Sequence, residues 1–206
     1  MLRNVSSEER RLSSATELRA LSHPIRLALL ELLEEEGPLT ATRAGERLGE
    51  SPANASFHLR TLARYGYVEE AVGGTGRQRP WQVVERATKI DGDELGPEAR
   101  LAADALLQLL RERDLQRLRI YGSTRKDYPR QWREAAHEMR LLLHLTAAEL
   151  AELFGAVESV LAPYLAKNER RPGTLPVSFG LHLVPTRLPA QSGDDQSGDE
   201  RSGDES

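Results

Sequence analysis

The 206-residue sequence predicts an α+β chain, mainly α, and three observations carry that prediction. Apolar residues recur at three- and four-residue spacing over much of residues 15–65, as in amphipathic helices. Two short β-prone runs then flank Gly73-Gly74-Thr75-Gly76, as in a hairpin whose turn is free to adopt positive φ. A long aliphatic stripe at helical spacing returns after Gly96-Pro97.

In chain order, residues 1–13 are polar and without periodicity, which predicts a disordered lead-in. Thr16–Leu21 forms a short helix. Ser22 is placed to cap the next one, and Pro24 suits its first turn, where a missing N–H is harmless. Ile25, Ala28, Leu29, Leu32 and Leu33 make one apolar stripe, stopped by Gly37-Pro38. Thr40 caps a third helix over residues 41–48, Gly49-Glu50 is a turn, and Ser51-Pro52 opens a fourth helix to Tyr65, with Gly66 as its stop. Strands over Tyr67–Val72 and Arg79–Val84 complete a first domain at 14–88.

Residues 89–97 are polar, carry Gly and Pro, and predict a linker. A second, small α+β domain is expected over 98–184, for dimerisation or signal sensing. Its helix from Glu98 to Leu118 shows Leu101, Ala102, Ala105, Leu106, Leu109 and Leu110 on one face, which calls for a partner helix. Residues 121–133 look irregular, Met139–Leu145 reads as a strand, and Thr146-Ala147-Ala148-Glu149 is a capping box opening a helix to Ala166. Val177–Val184 reads as a last strand. Residues 185–206 repeat Ser-Gly-Asp-Asp/Glu every five residues, hold 2 basic against 6 acidic side chains, and predict a disordered acidic tail.

Composition removes whole classes of function. Without cysteine there is no disulfide, thiolate metal site or cysteine nucleophile. No apolar run approaches the ~20 residues of a membrane span, and no signal-peptide pattern is present, so a cytoplasmic protein without membrane contact is expected. No catalytic elbow, zinc-protease helix or Walker loop is found, so the chain is not expected to be an enzyme or to carry a cofactor or metal.

Three helices, a tight turn between the last two, then a hairpin: this is the order of a winged helix-turn-helix. In that geometry one helix crosses the DNA backbone while the next lies in the major groove. On the 52–65 helix, Ala55, Leu59 and Leu62 share one face and pack inward. Ala53, Phe57, Arg60 and Arg64 occupy the opposite face, flanked by Asn54 and Ser56. Asn and Arg can pair bidentately with base edges, and Phe57 can touch a thymine methyl. Residues 41–90 hold 8 basic and 5 acidic side chains, and Thr40, Arg43, Ser51, Arg77 and Arg79 join the candidate interface on elements expected beside phosphates. His58 flanks the buried face, where it can contact phosphate or brace the helix.

Ala20-Leu21-Ser22-His23-Pro24-Ile25-Arg26-Leu27-Ala28-Leu29-Leu30 resembles the opening of ArsR-type regulators, and Ser51 with Ser56, His58, Leu59 and Leu62 resembles their recognition helix. Gly66-Tyr67-Val68 resembles the start of their wing, and Gly74 to Trp81 that of longer, actinobacterial-like members. The resemblance implies a bacterial homodimer on double-stranded DNA, acting as a repressor on an inverted repeat. Metal sensing does not carry over to a chain without cysteine. A winged-helix adaptor that binds protein in place of DNA is the alternative. Tyr121, Tyr128 and Trp132 are candidate linings for a small-molecule effector, and the acidic tail is either a solvated extension or a phosphate mimic for the Arg-rich surface.

Overall fold

A computed structural model describes residues 10–72, 79–84, 88–90, 95–168 and 170–188. The elements run β1 (Arg10–Leu12), α1 (Ala15–Leu21), α2 (Pro24–Glu36), α3 (Ala41–Leu48), α4 (Pro52–Arg64), β2 (Val68–Glu70), β3 (Trp81–Val83), β4 (Thr88–Ile90), α5 (Pro97–Thr124), a 3-10 turn (Arg125–Asp127), α6 (Arg130–Ala135) and α7 (Ala147–Leu165). The chain is α+β and mainly α, as its patterning predicts. The expected Gly73–Gly76 turn and the acidic repeat from Gln191 onward lie outside the described residues.

Leu18, Leu29, Ala44, Ala55, Leu59 and Leu62 are fully buried in one hydrophobic cluster drawn from α1 to α4. Backbone signals at the helix ends explain why the elements stop where they do. Thr40 Oγ1 accepts from the Arg43 amide (3.3 Å) and Ser51 Oγ from the Asn54 amide (3.1 Å), each satisfying one orphan donor of a first turn. The cap of α2 is His23, whose Nδ1 accepts from the Ile25 amide at 3.2 Å. Ser22, expected in that role, instead closes α1: its amide and its hydroxyl both donate to the Leu18 carbonyl. At the other end of α2, the Arg170 guanidinium donates to the Leu33 and Glu34 carbonyls at 2.9 and 2.8 Å, where helical partners run out.

The turn between α3 and α4 depends on two glycines. Gly49 sits at φ 70°, a left-handed conformation that side chains resist. Gly45 lets the turn close over α3: the Glu50 amide donates to the Gly45 carbonyl at 2.8 Å, and a Cβ on Gly45 would stand 2.8 Å from the Glu50 carbonyl oxygen.

Strands β2 and β3 form an antiparallel hairpin with Val68 opposite Val83 and Glu70 opposite Trp81. Leu39 bridges to Trp81 on the far side, so the linker ahead of α3 ties the wing to the helices. Two expectations near the ends of this domain are corrected. Residues 10–12 form β1, paired in parallel with β4, and Leu12 is fully buried; a strand of three residues is too short to show periodicity. β4 also occupies the beginning of the expected 89–97 linker.

Helix α5 is 28 residues, about 42 Å at 1.5 Å per residue. Its first half belongs to the same hydrophobic cluster: Ala99, Ala102, Ala103 and Leu106 are buried, and α1 is its packing partner. The seam is rotated from the expected stripe, leaving Leu101 exposed. Further along, Glu31 of α2 receives the Arg113 guanidinium (Nε at 2.7 Å) and Arg117 (2.6 Å). The helix continues six residues past Leu118, and α6 with the 3-10 turn occupies much of the stretch expected to be irregular.

Of the described residues, those up to 141 with 168 and 170–178 make one compact unit, and 142–167 with 179–188 make another. In the second, α7 opens with the expected capping box: Thr146 Oγ1 accepts from the Glu149 amide while the Glu149 carboxylate accepts from the Thr146 amide. None of its described residues is buried, and Phe154, Val160 and Tyr164 are exposed. The strands expected at Met139–Leu145 and Val177–Val184 are not formed; both segments lack regular structure. Alternation supplies a face, but a strand also needs a neighbour for its amides, and neither segment pairs with one among the described residues.

Gly45→Ala separates two opposed effects. Helix propensity alone would make it stabilising by about 1 kcal/mol. The collision with the Glu50 backbone makes it destabilising, by about 1–3 kcal/mol in urea denaturation.

Candidate nucleic-acid interface

Helix α4 divides cleanly into two sides. Ala55, Leu59 and Leu62 are fully buried, as their spacing predicts. Ala53, Phe57, Arg60 and Arg64 are exposed on the other side, with Asn54 and Ser56 half-buried between. Phe57 is 58% exposed, which is unusual for a phenyl ring in a helix that has a core to pack against. Arg43 on α3 and Arg79 at the start of the wing strand are exposed too. Arg77 lies outside the described residues.

Several of these side chains rest on partners within the chain. The Asn54 side-chain Nδ2 donates to Glu50 Oε2 at 2.7 Å across the start of α4, Arg60 donates to Ser56 Oγ at 3.0 Å, and Arg79 pairs with Glu70 across the hairpin at 2.9 Å. All three contacts are short-range and involve an exposed or half-buried group, so water or a ligand can replace them at small cost. Arg43 and Arg64 make no ion pair among the described residues. Glu50 was not singled out from the sequence, although its position four residues before Asn54 is the spacing at which helix side chains meet.

His58 is the correction within this set. It is 6% exposed, its ring stacks at a tilt on His23 with centroids 4.5 Å apart, and Phe57 meets its other side edge-on at 5.2 Å. It braces α4 against the start of α2 and does not join the exposed face. One position beyond Phe57, a 100° rotation carries it onto the edge of the leucine side. Its Nδ1 is buried without a hydrogen-bond partner among the described residues. Burial holds the His58 pKa below its usual value, reinforced by the charges of His23 and Arg26 and opposed by Glu50. His23 is lowered in the same way, first by burial and then by Arg26. Both shifts favour the neutral ring, the form in which His23 Nδ1 can accept the Ile25 amide.

The aromatic candidates lie on α5 and just beyond it. Tyr121 and Tyr128 bring their rings to 5.6 Å, and both are half-buried, as is Trp132 on α6. Among the described residues no group of three or more His, Asp or Glu side chains is arranged to hold a metal ion, and no helix is long and apolar enough to cross a membrane.

Residues 21–71 match the family described as "Helix-turn-helix domain", a span from the end of α1 to just past β2. Among solved structures, one that is similar is a MarR family regulator from Neisseria meningitidis, 18% identical, covering 71% of this chain and 81% of that one with a TM-score of 0.32. No curated protein matches the chain. The helices at 24–64 and the hairpin after them are a helix-turn-helix with its wing.

The buried histidine pair has a measurable consequence. A histidine whose pKa is depressed on folding adds stability that is complete above its unfolded pKa of about 6.5 and is lost as pH falls toward the folded value. Thermal stability should therefore drop as the pH falls below about 6.5. The drop should shrink in His58→Gln, which cannot titrate; an equal drop in that variant would assign the effect elsewhere.

Proposed function

We propose that this protein is a DNA-binding transcriptional regulator, a homodimeric repressor that reads an inverted repeat through α4 and the wing. The observation that carries the reading is the division of α4. Three fully buried residues lock one side, and the other side offers Asn54, Phe57, Arg60 and Arg64 together. Small residues at Ala53 and Ser56 allow close approach to base edges, and the positive end of the helix dipole lies beside Ser51 and Asn54. Arg43 and Arg79 extend the positive surface to either side, with Arg77 assigned to the wing from sequence. Thr40 and Ser51 act by fixing the first turns that present these groups.

The homodimer is supported by the second half of α5, where Leu115, Leu118 and Ile120 are exposed. Two copies related by a two-fold axis would set their α4 helices about one helical turn of DNA apart, roughly 10 bp between half-site centres. Repression is supported by the resemblance to ArsR-type regulators at Ala20–Leu30 and Ser51–Leu62. The reading is of a binding protein, not an enzyme, in a bacterial cytoplasm. A small-molecule effector would act by shifting the spacing of the two reading helices.

A mobility-shift assay on the protein's own upstream region tests this. Asn54→Ala and Arg60→Ala should each weaken specific binding by about 1–3 kcal/mol and relax preference at one position. Arg77→Ala with Arg79→Ala should weaken binding to all duplexes alike and reduce the salt slope by roughly 1–2. A chain that shifts no duplex, at low salt included, would overturn the reading.

A further inference from the structure

Where α5 ends, the chain folds back through the 3-10 turn and α6 and leaves two open hollows of about 830 and 460 Å3 that share Gly122, Arg125, Ala136 and His137, most of their lining residues exposed to solvent. Their sizes fall in the range of small-molecule sites. The character of the lining is unlike the aromatic pocket expected from the sequence. The larger cavity gathers Arg125, Lys126, Arg130 and Arg133, and its single acid, Glu134, is already paired with Arg130 at 2.7 Å. Arg125, Lys126 and Arg133 make no ion pair among the described residues; Arg125 only reaches the Arg133 carbonyl at 3.5 Å. Glu138 is the one acid of the smaller cavity. Tyr121 also lines that cavity, and its hydroxyl is buried with no hydrogen-bond partner among the described residues.

Three cations that make no ion pair among the described residues raise a local positive potential on one side of the chain, and that potential favours an anion between them. Guanidinium groups offer forked donors matched to carboxylate and phosphate oxygens. Tyr121, whose hydroxyl makes no hydrogen bond among the described residues, lines the smaller hollow beside Arg125. A nucleic-acid backbone is a poorer fit, because it is a long convex polyanion and the recess is concave and local. We propose that this recess binds a small organic oxyanion, a carboxylate or phosphate ester, held by Arg125, Lys126 and Arg133, with Tyr121 lining the adjoining smaller hollow. Binding here stands apart from the DNA reading; only the role of the ligand as effector rests on it.

Calorimetric titration of the full chain with benzoate and with inorganic phosphate, at constant chloride, tests the proposal and separates the two oxyanion sources. Saturable binding of at least one of them, near one per chain, is expected. Arg125→Ala and Arg133→Ala should each weaken it about tenfold, and Tyr121→Phe about fivefold. Gly122→Leu should abolish it by filling the recess, and the fold should tolerate the change because a Cβ added there meets nothing within 4 Å. Unchanged circular dichroism checks that tolerance. No saturable binding of either anion, or binding that these substitutions leave intact, overturns the proposal. A chain that binds the anion but no duplex would sink the DNA reading and leave the recess standing; one that binds duplex but neither anion would do the reverse.

Discussion

The close packing of α4 on α2 and α3 is the constraint from which the rest follows. Ala55, Leu59 and Leu62 have no solvent exposure at all, so α4 cannot roll about its axis without exposing two leucines, at about 1.5–3 kcal/mol each. That penalty is what turns a sequence of side chains into a surface with a fixed orientation. The Ser51 cap fixes where the helix begins, and the Gly45–Glu50 contact fixes how close α3 comes to it. Leu39, bridged to Trp81, then holds the wing to the same frame. Orientation, start point and wing are three outputs of one packed cluster.

Electrostatics act on that frame without defining it. Asn54, Arg60 and Arg79 rest on Glu50, Ser56 and Glu70, all partners in reach of the same element or hairpin. Such contacts keep the side chains ordered near the geometry a groove would need, which lowers the entropy lost when they change partner. Glu50 has a second influence: its charge opposes the depression of both histidine pKa values beneath α4. The residue that holds Asn54 thus also acts on the neutral pair that braces the helix. The exposed side of α4 and its core side meet at one carboxylate in the turn.

Much of this was legible in the sequence because the signals were local. Thr40, Ser51 and Thr146 cap where their type and spacing said they would, and the leucine side of α4 is the one that 3.6-residue periodicity picks out. Misreadings came where a partner distant in sequence decides. Leu12 is buried only because residues 88–90 arrive beside it. Ala99 and Ala103 replace Leu101 in the α5 seam because small residues let α5 lie close to α1, a choice that hydrophobicity alone ranks the other way. His58 sits at the border of two faces, where a helical wheel is ambiguous, and His23, 35 positions earlier, settles it. Met139–Leu145 and Val177–Val184 carry strand-like alternation without an edge to pair with, so pattern without topology misleads there.

The same reasoning explains why the basic recess escaped notice. Tyr121, Tyr128 and Trp132 stand out as rare residue types, whereas Arg125, Lys126, Arg130 and Arg133 look like ordinary solvated charges along a polar stretch. Only the reversal of the chain after Thr124 brings the cations to one side and leaves Glu134 occupied by Arg130. A charge run along a straight helix is dispersed by water; folded back on itself over some dozen residues, it becomes a local potential. Arg113 and Arg117 illustrate the other fate of arginine on α5: both turn to the half-buried Glu31 and tie α5 to α2. Helix α5 thus commits Arg113 and Arg117 to holding the fold, while beyond its end Arg125, Lys126 and Arg133 make no ion pair among the described residues, and that asymmetry marks the recess.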